Sequence, residues 1–160
     1  AVNASVRQFQ GAEWFGHIES ALADKALPAG LLEIEITEST IMNKGNEAVA
    51  ILQRLRETGI RVAIDDFGTG YSSLSYLQQF SVNQLKIDQS FVREMTKNPA
   101  SIQLVRTMIA MAKNLGLTTL AEGVENAEQL EILRAEGCTY YQGYLKSSAV
   151  PAEKFLKDFL

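Results

Sequence analysis

Two adjacent carboxylates, Asp65 and Asp66, stand in the stretch "RVAIDDFGTGYSSL" (61–74), between an apolar run and a loop with two glycines. At the end of a buried strand they would repel each other and resist desolvation unless a cation lay between them. The pair therefore indicates a cation site. Because consecutive strand residues point to opposite faces, one aspartate must gain its inward direction from the loop that follows.

The other predicted strands also carry polar side chains at or near their C-terminal ends: Asn3, Glu35, Glu38, Lys86, Asp88, Glu122, Glu125 and Gln142. In a parallel barrel these ends converge on one face, where active sites are built. Carboxylates crowded there need cations, and oxygen ligands favour Mg²⁺, Mn²⁺ or Ca²⁺. Two divalent ions bridged by a carboxylate pair are the usual arrangement for phosphodiester hydrolysis, in which Lys86 would position water or stabilise phosphate charge.

The elements that position these residues are short apolar runs alternating with longer amphipathic stretches. The runs predict strands at 1–4, 31–36, 61–65, 84–88, 118–122 and 138–142. The amphipathic stretches predict helices at roughly 12–25 and at 46–59, 101–116, 126–137 and 151–160, with Gly59, Gly116 and Gly137 as stops. This alternation predicts βα units and a parallel sheet.

The number of strands separates two α/β architectures. A closed (β/α)₈ barrel has eight strands and typically about 250 residues, whereas this chain has 160 residues and six predicted strands. The prediction is therefore an incomplete TIM-like (β/α) barrel that lacks about the first two β/α units. The alternative is an open doubly wound sheet, which no glycine-rich nucleotide fingerprint supports.

Composition excludes several classes of protein. Hydrophobic residues make up 46% and charged residues 21% of the chain, as in ordinary globular domains. A net charge of −4 without a basic run argues against a nucleic acid polymer as partner, and no apolar stretch predicts a membrane span. One histidine and one cysteine exclude the usual zinc sites, and the single Cys138 fits a reducing, cytoplasmic location.

Five ordered motifs, "EITES" (35–39), "DDFGTGYSSL" (65–74), "LKID" (85–88), "AEGVE" (121–125) and "QGY" (142–144), resemble the signature series of EAL-domain proteins. The segment "VNASVRQFQ" (2–10) is also similar to that family, so the resemblance covers nearly the whole chain. The resemblance implies a TIM-like barrel that hydrolyses cyclic di-GMP to linear pGpG with Mg²⁺ or Mn²⁺. It also implies dimer contacts and coupling to regulatory or GGDEF-type domains in a longer parent.

The resemblance implies roles for single residues as well. The residues that match metal-binding positions are Asn3, Glu35, Asp65, Asp66 and Glu122. Those that match catalytic positions are Glu122 as metal ligand or general base, Lys86 near the attacking water, and Gln142 supporting the metal-bound water. Supporting positions are Glu38, which would hold the loop "DFGTGYSSL" (66–74), Asp88 and Glu125. The substrate-contacting residues stay unassigned.

Two departures from the family pattern bear on activity. The Glu-Ala-Leu tripeptide is absent, and with it a metal-ligating glutamate, a phosphate-gripping arginine and the first strands. The segment "LKSSAVP" (145–151) replaces a family segment like "YFSKPLP". We therefore expect residues 1–160 to form one N-terminally truncated EAL domain with weak or no turnover alone. The alternatives are a non-catalytic nucleotide-binding or interaction module and an inactive fragment.

Simpler interpretations of the same residues remain open at this point. Asp65 and Asp66 would also suit a helix cap or a turn, and Lys86 would suit a surface position or a structural ion pair. Glu125 would suit the start of a helix, for which Asn126 is the natural N-cap. An incomplete barrel would leave strand edges at 1–4 and 138–142, so we expect a homodimer, formed by strand or domain exchange.

Overall fold

The computed structural model describes residues 1–10, 12–24, 26–70 and 74–159. In these residues six parallel strands form one sheet in chain order: β1 (Val2–Asn3), β2 (Glu33–Thr37), β3 (Arg61–Phe67), β4 (Gln84–Ile87), β5 (Thr118–Ala121) and β6 (Tyr140–Tyr141). The predicted parallel α/β sheet is confirmed. The order never reverses, so the doubly wound alternative is wrong, because such a sheet switches direction at one strand.

The helices of the described chain are α1 (Val6–Gln10), α2 (Ala12–Asp24), α3 (Glu38–Met42), α4 (Asn46–Glu57), α5 (Leu74–Leu77), α6 (Gln89–Glu94), α7 (Pro99–Asn114), α8 (Ala127–Ala135) and α9 (Ala152–Phe159). The five longer helices lie where the amphipathic periodicity predicts them. The four shorter helices, α1, α3, α5 and α6, were not predicted, since four to six residues are too few to show a helical period. No helix among these is long and apolar enough to cross a membrane.

Helix ends follow the local sequence. Asn98 caps α7 by accepting a hydrogen bond from the Ala100 amide at 3.0 Å, and Pro99 occupies the first helical turn. Asn126 is the N-cap of α8, as predicted. The three glycines predicted as stops have positive φ angles of 72° to 82°. The main differences from the predicted strand boundaries are in β2, which 3₁₀-helical residues 29–31 precede, in β3, which continues to Phe67, and in β6, which is shorter than 138–142.

The strand register divides the sheet into two chemically different faces. Ile34 pairs with Val62, and Ile36 pairs with Ile64, so these fully or almost fully buried side chains share the face that packs against the helices. Residues one position along each strand point the opposite way. On β2 that opposite face carries Glu35, which is only partly buried. The sheet thus has an apolar outer face and a polar inner face.

Replacing Ile36, which is 0% exposed on β2, by alanine tests this division. We expect Ile36→Ala to lower the free energy of unfolding by about 2–5 kcal/mol, because it leaves a cavity in the central sheet. Leu104→Ala, at a side chain 49% exposed on α7, is the control and should change it by less than about 0.5 kcal/mol. Urea denaturation measures both, and equal effects of the two variants would contradict the assigned core.

Candidate active site

Pairing between the strands brings polar side chains from different elements to the inner face. Asp65 on β3 pairs in register with Thr37, two residues after Glu35 on the same face of β2. Lys86 on β4 pairs with Leu120 on β5, and Glu122 continues the same face directly after β5. Four neighbouring strands therefore deliver charged groups to one point at the C-terminal edge of the sheet.

Both aspartates face this point because β3 contains a bulge. Ile64 pairs with Leu85 and Phe67 pairs with Ile87, so two residues of β3 stand opposite Lys86 alone. Asp66 takes a left-handed φ of 54°, which turns its side chain toward that of Asp65. We expected the loop after the strand to turn one aspartate side chain inward. This expectation is wrong about the position, because β3 continues to Phe67 and the side chain is turned by the bulge inside the strand.

Lys86 holds three carboxylates with one ammonium group. Its Nζ lies 2.8 Å from Asp65 Oδ1, 2.9 Å from Glu122 Oε1 and 3.1 Å from Glu35 Oε1. The lysine side chain is 4% exposed, so these ion pairs lie in a poorly solvated position. The burial excludes the interpretation of Lys86 as a surface lysine.

Burial and mutual contact change the pKa values of Lys86 and Glu122. Burial alone would lower the pKa of Lys86, but hydrogen bonds to Asp65, Glu122 and Glu35 outweigh it and raise the pKa above its ordinary value. Burial raises the pKa of Glu122, and the nearby charges of Asp65 and Glu35 add to that rise. The pKa of Glu122 stays above its usual value despite the ion pair, because the effect of burial is larger than that of Lys86.

The excess negative charge is concentrated where a cation would fit. Carboxylate oxygens of Asp65, Asp66 and Glu122 all lie within 4.8 Å of one another. Burial, followed by the charges of Asp65 and Asp88, raises the pKa of Asp66. A set of oxygen donors carrying more negative charge than Lys86 can balance suits a hard divalent cation such as Mg²⁺ or Mn²⁺.

Gln142 closes the site from the β6 side. Its Nε2 donates a hydrogen bond of 2.8 Å to Glu122 Oε1, the same oxygen that contacts Lys86. Backbone bonds position both residues, because the Gln142 amide donates to Ala121 O at 2.9 Å and the Glu122 amide donates to Ile87 O at 3.1 Å. Gln142 therefore orients the Glu122 carboxylate relative to Lys86.

Glu38 lies beneath the loop that follows β3. It is 1% exposed at the start of α3, and its Oε2 accepts hydrogen bonds from the amides of Gly68 at 2.8 Å and Gly70 at 3.4 Å. The predicted loop-holding contact reaches these two glycines, while residues 71–73 of the motif lie outside the described residues. Glu38 thus ties the loop after β3 to the end of β2.

The three remaining predicted residues belong to neighbouring segments. Asn3 is exposed on β1, in register with Glu35. Asp88 is the N-cap of α6 and accepts hydrogen bonds from the Ser90 amide at 2.9 Å and from the Ser90 hydroxyl. Glu125 is exposed in the loop before α8, which begins at Ala127, so its interpretation as a helix-starting residue is wrong.

Sequence reasoning missed two features. A cavity of about 790 Å³ opens beside Gln142, and residues lining it include Gln89, Glu125, Tyr144 and Lys146. Gln129 was also missed: it is 3% exposed, and its side chain bonds to the loop that carries Glu122 and Glu125. The spacing Asn126-x-x-Gln129, which is typical of a capping box, was the available signal for Gln129.

Comparison with known proteins gives consistent matches. The EAL domain family matches residues 1–149. Signaling protein YkoW of Bacillus subtilis is 46% identical over 155 residues, which are 97% of this chain and 19% of that protein. The chain spans about a fifth of the length of the curated relatives it matches.

Solved structures of other proteins also match this chain. PaMucR phosphodiesterase in a c-di-GMP complex superposes with a TM-score of 0.93 at 38% identity, over 96% of this chain and 62% of that one. Klebsiella pneumoniae BlrP1 with manganese and cyclic di-GMP gives a TM-score of 0.81 at 30% identity, over 89% of this chain and 37% of that one. The predicted TIM-like α/β architecture is confirmed.

Replacing Lys86 by methionine removes the charge and keeps much of the volume. We expect Lys86→Met to cost about 2–3 kcal/mol of stability at pH 7, because three poorly solvated carboxylates lose their counter-ion. The pKa of Glu122, which burial already raises, then rises further above its value in the unfolded chain, because the ammonium that opposed the rise is gone. The folded state of the variant therefore binds more protons than its unfolded state. The loss of stability relative to wild type should shrink as pH falls from 7 to about 5.

Thermal unfolding of wild type and Lys86→Met across this pH range checks the prediction. Lys113→Met, at an exposed lysine on α7, is the control and should show neither the loss nor the pH dependence. A deficit in Lys86→Met that stays constant with pH would show that carboxylate repulsion is not its cause.

Proposed function

The chain belongs to the EAL-domain family, as its motifs predict, and on that basis we propose that it contributes to metal-dependent hydrolysis of cyclic di-GMP to pGpG. One observation carries the proposal: the carboxylates of Asp65, Asp66 and Glu122 converge beside the buried Lys86 at the C-terminal edge of a parallel sheet. This is the edge at which barrel enzymes of this architecture build their active sites.

Mg²⁺ or Mn²⁺ is the proposed metal, held by Asp65, Asp66 and Glu122, with Glu35 and Asn3 on the neighbouring strands as further ligands. The manganese complex of BlrP1 supports this choice, as does the all-oxygen donor set. Such ions act as Lewis acids on phosphoryl oxygens and supply a nucleophile at neutral pH. The Glu-Ala-Leu glutamate is absent from the sequence, so we propose that turnover by this chain alone is weak.

The remaining side chains have complementary roles. Glu122 is suited either to bind the metal or, from outside its ligand set, to accept a proton from the attacking water. Lys86 would stabilise the charge that develops on the phosphate, and Gln142 fixes the Glu122 carboxylate through its 2.8 Å bond. The cavity of about 790 Å³ beside Gln142 is large enough to admit part of a nucleotide.

The parent protein and its location complete the proposal. The chain spans about a fifth of its curated relatives, so we propose that regulatory or GGDEF-type domains accompany it in a longer protein. We further propose that this unit works in the cytoplasm, which fits its single cysteine.

Calorimetric titration with cyclic di-GMP tests the function. We expect the purified chain to bind the dinucleotide in the presence of Mn²⁺ and at least about tenfold more weakly in EDTA, because a divalent ion held by these carboxylates would attract the negative phosphate. Glu122→Gln should abolish this metal dependence, and any pGpG formation should fall by at least about 100-fold.

The matched control is Glu128→Gln, at an exposed glutamate on α8 that lies outside the site, which should behave as wild type. Binding of equal strength with and without Mn²⁺ would instead support the alternative, a non-catalytic nucleotide-binding module. Absence of binding under both conditions would leave only the inactive-fragment alternative.

Exposed sheet edges support a further proposal, that the chain forms a homodimer by strand or domain exchange. In the described residues β1 and β6 each pair on one side only, and Val2 and Tyr140 on these strands are 55% and 50% exposed. We expect sedimentation to show a dimer, and Tyr140→Lys to shift it toward monomer because a charge on an edge opposes strand pairing. A wild-type monomer at every concentration would contradict the proposal.

A further inference from the structure

The side chain of Gln129 connects three separate parts of the structure. Its Oε1 accepts hydrogen bonds from the Glu125 amide at 2.8 Å and the Asn126 amide at 3.2 Å. Its Nε2 donates to Val92 O on α6 at 3.3 Å. The residue is 3% exposed, so these bonds satisfy a side-chain amide that water reaches poorly.

A helix cap explains only part of this set. In a capping box the third helical residue bonds back to the N-cap amide, which here is the contact between Gln129 and Asn126. The bond to the Glu125 amide reaches one residue farther into the loop. The bond to Val92 O leaves α8 altogether and ends on the helix that follows β4, the strand that carries Lys86.

The loop between β5 and α8 is also fixed at its other side. The Val124 amide donates to Gln142 O at 3.0 Å, and Val124 O accepts from the Leu145 amide at 2.9 Å. Gly123 has a φ of 66°, and a Cβ placed there would lie 2.7 Å from Gln89 Cβ, so the loop backbone rests directly on α6. This contact and the Gln129 side chain hold residues 122–126 against α6.

From this arrangement we propose that Gln129 is a positioning residue, which sets the loop so that Glu122 meets Lys86 and Gln142. Glu122 lies only 2.9 Å from Lys86 Nζ and 2.8 Å from Gln142 Nε2, so a small movement of the loop breaks both contacts. The side-chain hydrogen bonds of Gln129 end on the backbone of Glu125, Asn126 and Val92, not on a carboxylate of the site. Gln129 acts through the backbone of residues 122–126.

Hydrogen exchange measured on the 160-residue chain without metal tests the positioning directly. Gln129→Met keeps similar length and removes all side-chain hydrogen bonds. We expect amide exchange in peptides 118–126 and 140–146 to become about tenfold faster, because the Glu122 and Val124 amides lose their fixed partners. Asn98→Ala, which removes the cap of α7, is the control for general destabilisation and should leave both peptides unchanged.

Gln129→Glu separates positioning from capping. Glutamate keeps the acceptor that a capping box uses but loses the donor to Val92 O. Faster exchange in peptide 118–126 is expected for this variant, whereas a residue that acts only as a cap would show exchange as in wild type. The inference is overturned if Gln129→Met leaves both peptides unchanged, or if Asn98→Ala accelerates them equally.

Mn²⁺ affinity, measured by calorimetry, gives the functional consequence, and this part rests on the proposed metal site. Gln129→Met should weaken Mn²⁺ binding by about tenfold, the usual effect of losing a residue that orients a metal ligand. If wild type fails to bind Mn²⁺, the proposed metal site is wrong, while the exchange experiment still decides the role of Gln129. If wild type binds and Gln129→Met binds equally well, the inference about positioning is wrong.

Discussion

The ammonium group of Lys86 is the interaction on which the site depends. It comes from β4 and contacts carboxylates that belong to β2, to β3 and to the residue directly after β5. Taking such charges out of water costs several kcal/mol per ion unless partners and hydrogen bonds compensate. Four neighbouring strands can therefore end in charged residues at one place only because a cation links them. The same link leaves a net negative charge, which suits the divalent cation proposed for this site.

Backbone geometry determines how two adjacent aspartates contribute to one site. A regular strand would send Asp65 and Asp66 to opposite faces, and one of them would then lie among the apolar residues that pack against the helices. The extra residue in β3 and the left-handed conformation of Asp66 keep both carboxylates on the polar face. Aspartate adopts this conformation at lower cost than a β-branched residue, so the residue type suits both the backbone and the chemistry.

Much of the fold and of the site followed from the sequence, because both depend on local patterns. Alternating apolar runs and amphipathic stretches predicted the parallel sheet, and polar residues after each run predicted that Glu35, Asp65 and Glu122 would meet. The position of the bulge in β3 could not be predicted from the sequence, because the register between β3 and β4 depends on two strands and not on one segment. The link from Gln129 to Val92 joins residues 37 positions apart, which no local pattern reveals.

A crystal grown with Mn²⁺, with anomalous diffraction recorded at the manganese absorption edge, tests the central claim most directly. The claim is that the carboxylates around Lys86 form a divalent-cation site. It predicts an anomalous peak at about 2.0–2.3 Å from oxygens of Asp65, Asp66 and Glu122, a distance typical of small divalent ions bound by carboxylates. A map without a peak at this position, in crystals that contain Mn²⁺ at millimolar concentration, would contradict the claim and make Lys86 the only cation these carboxylates need.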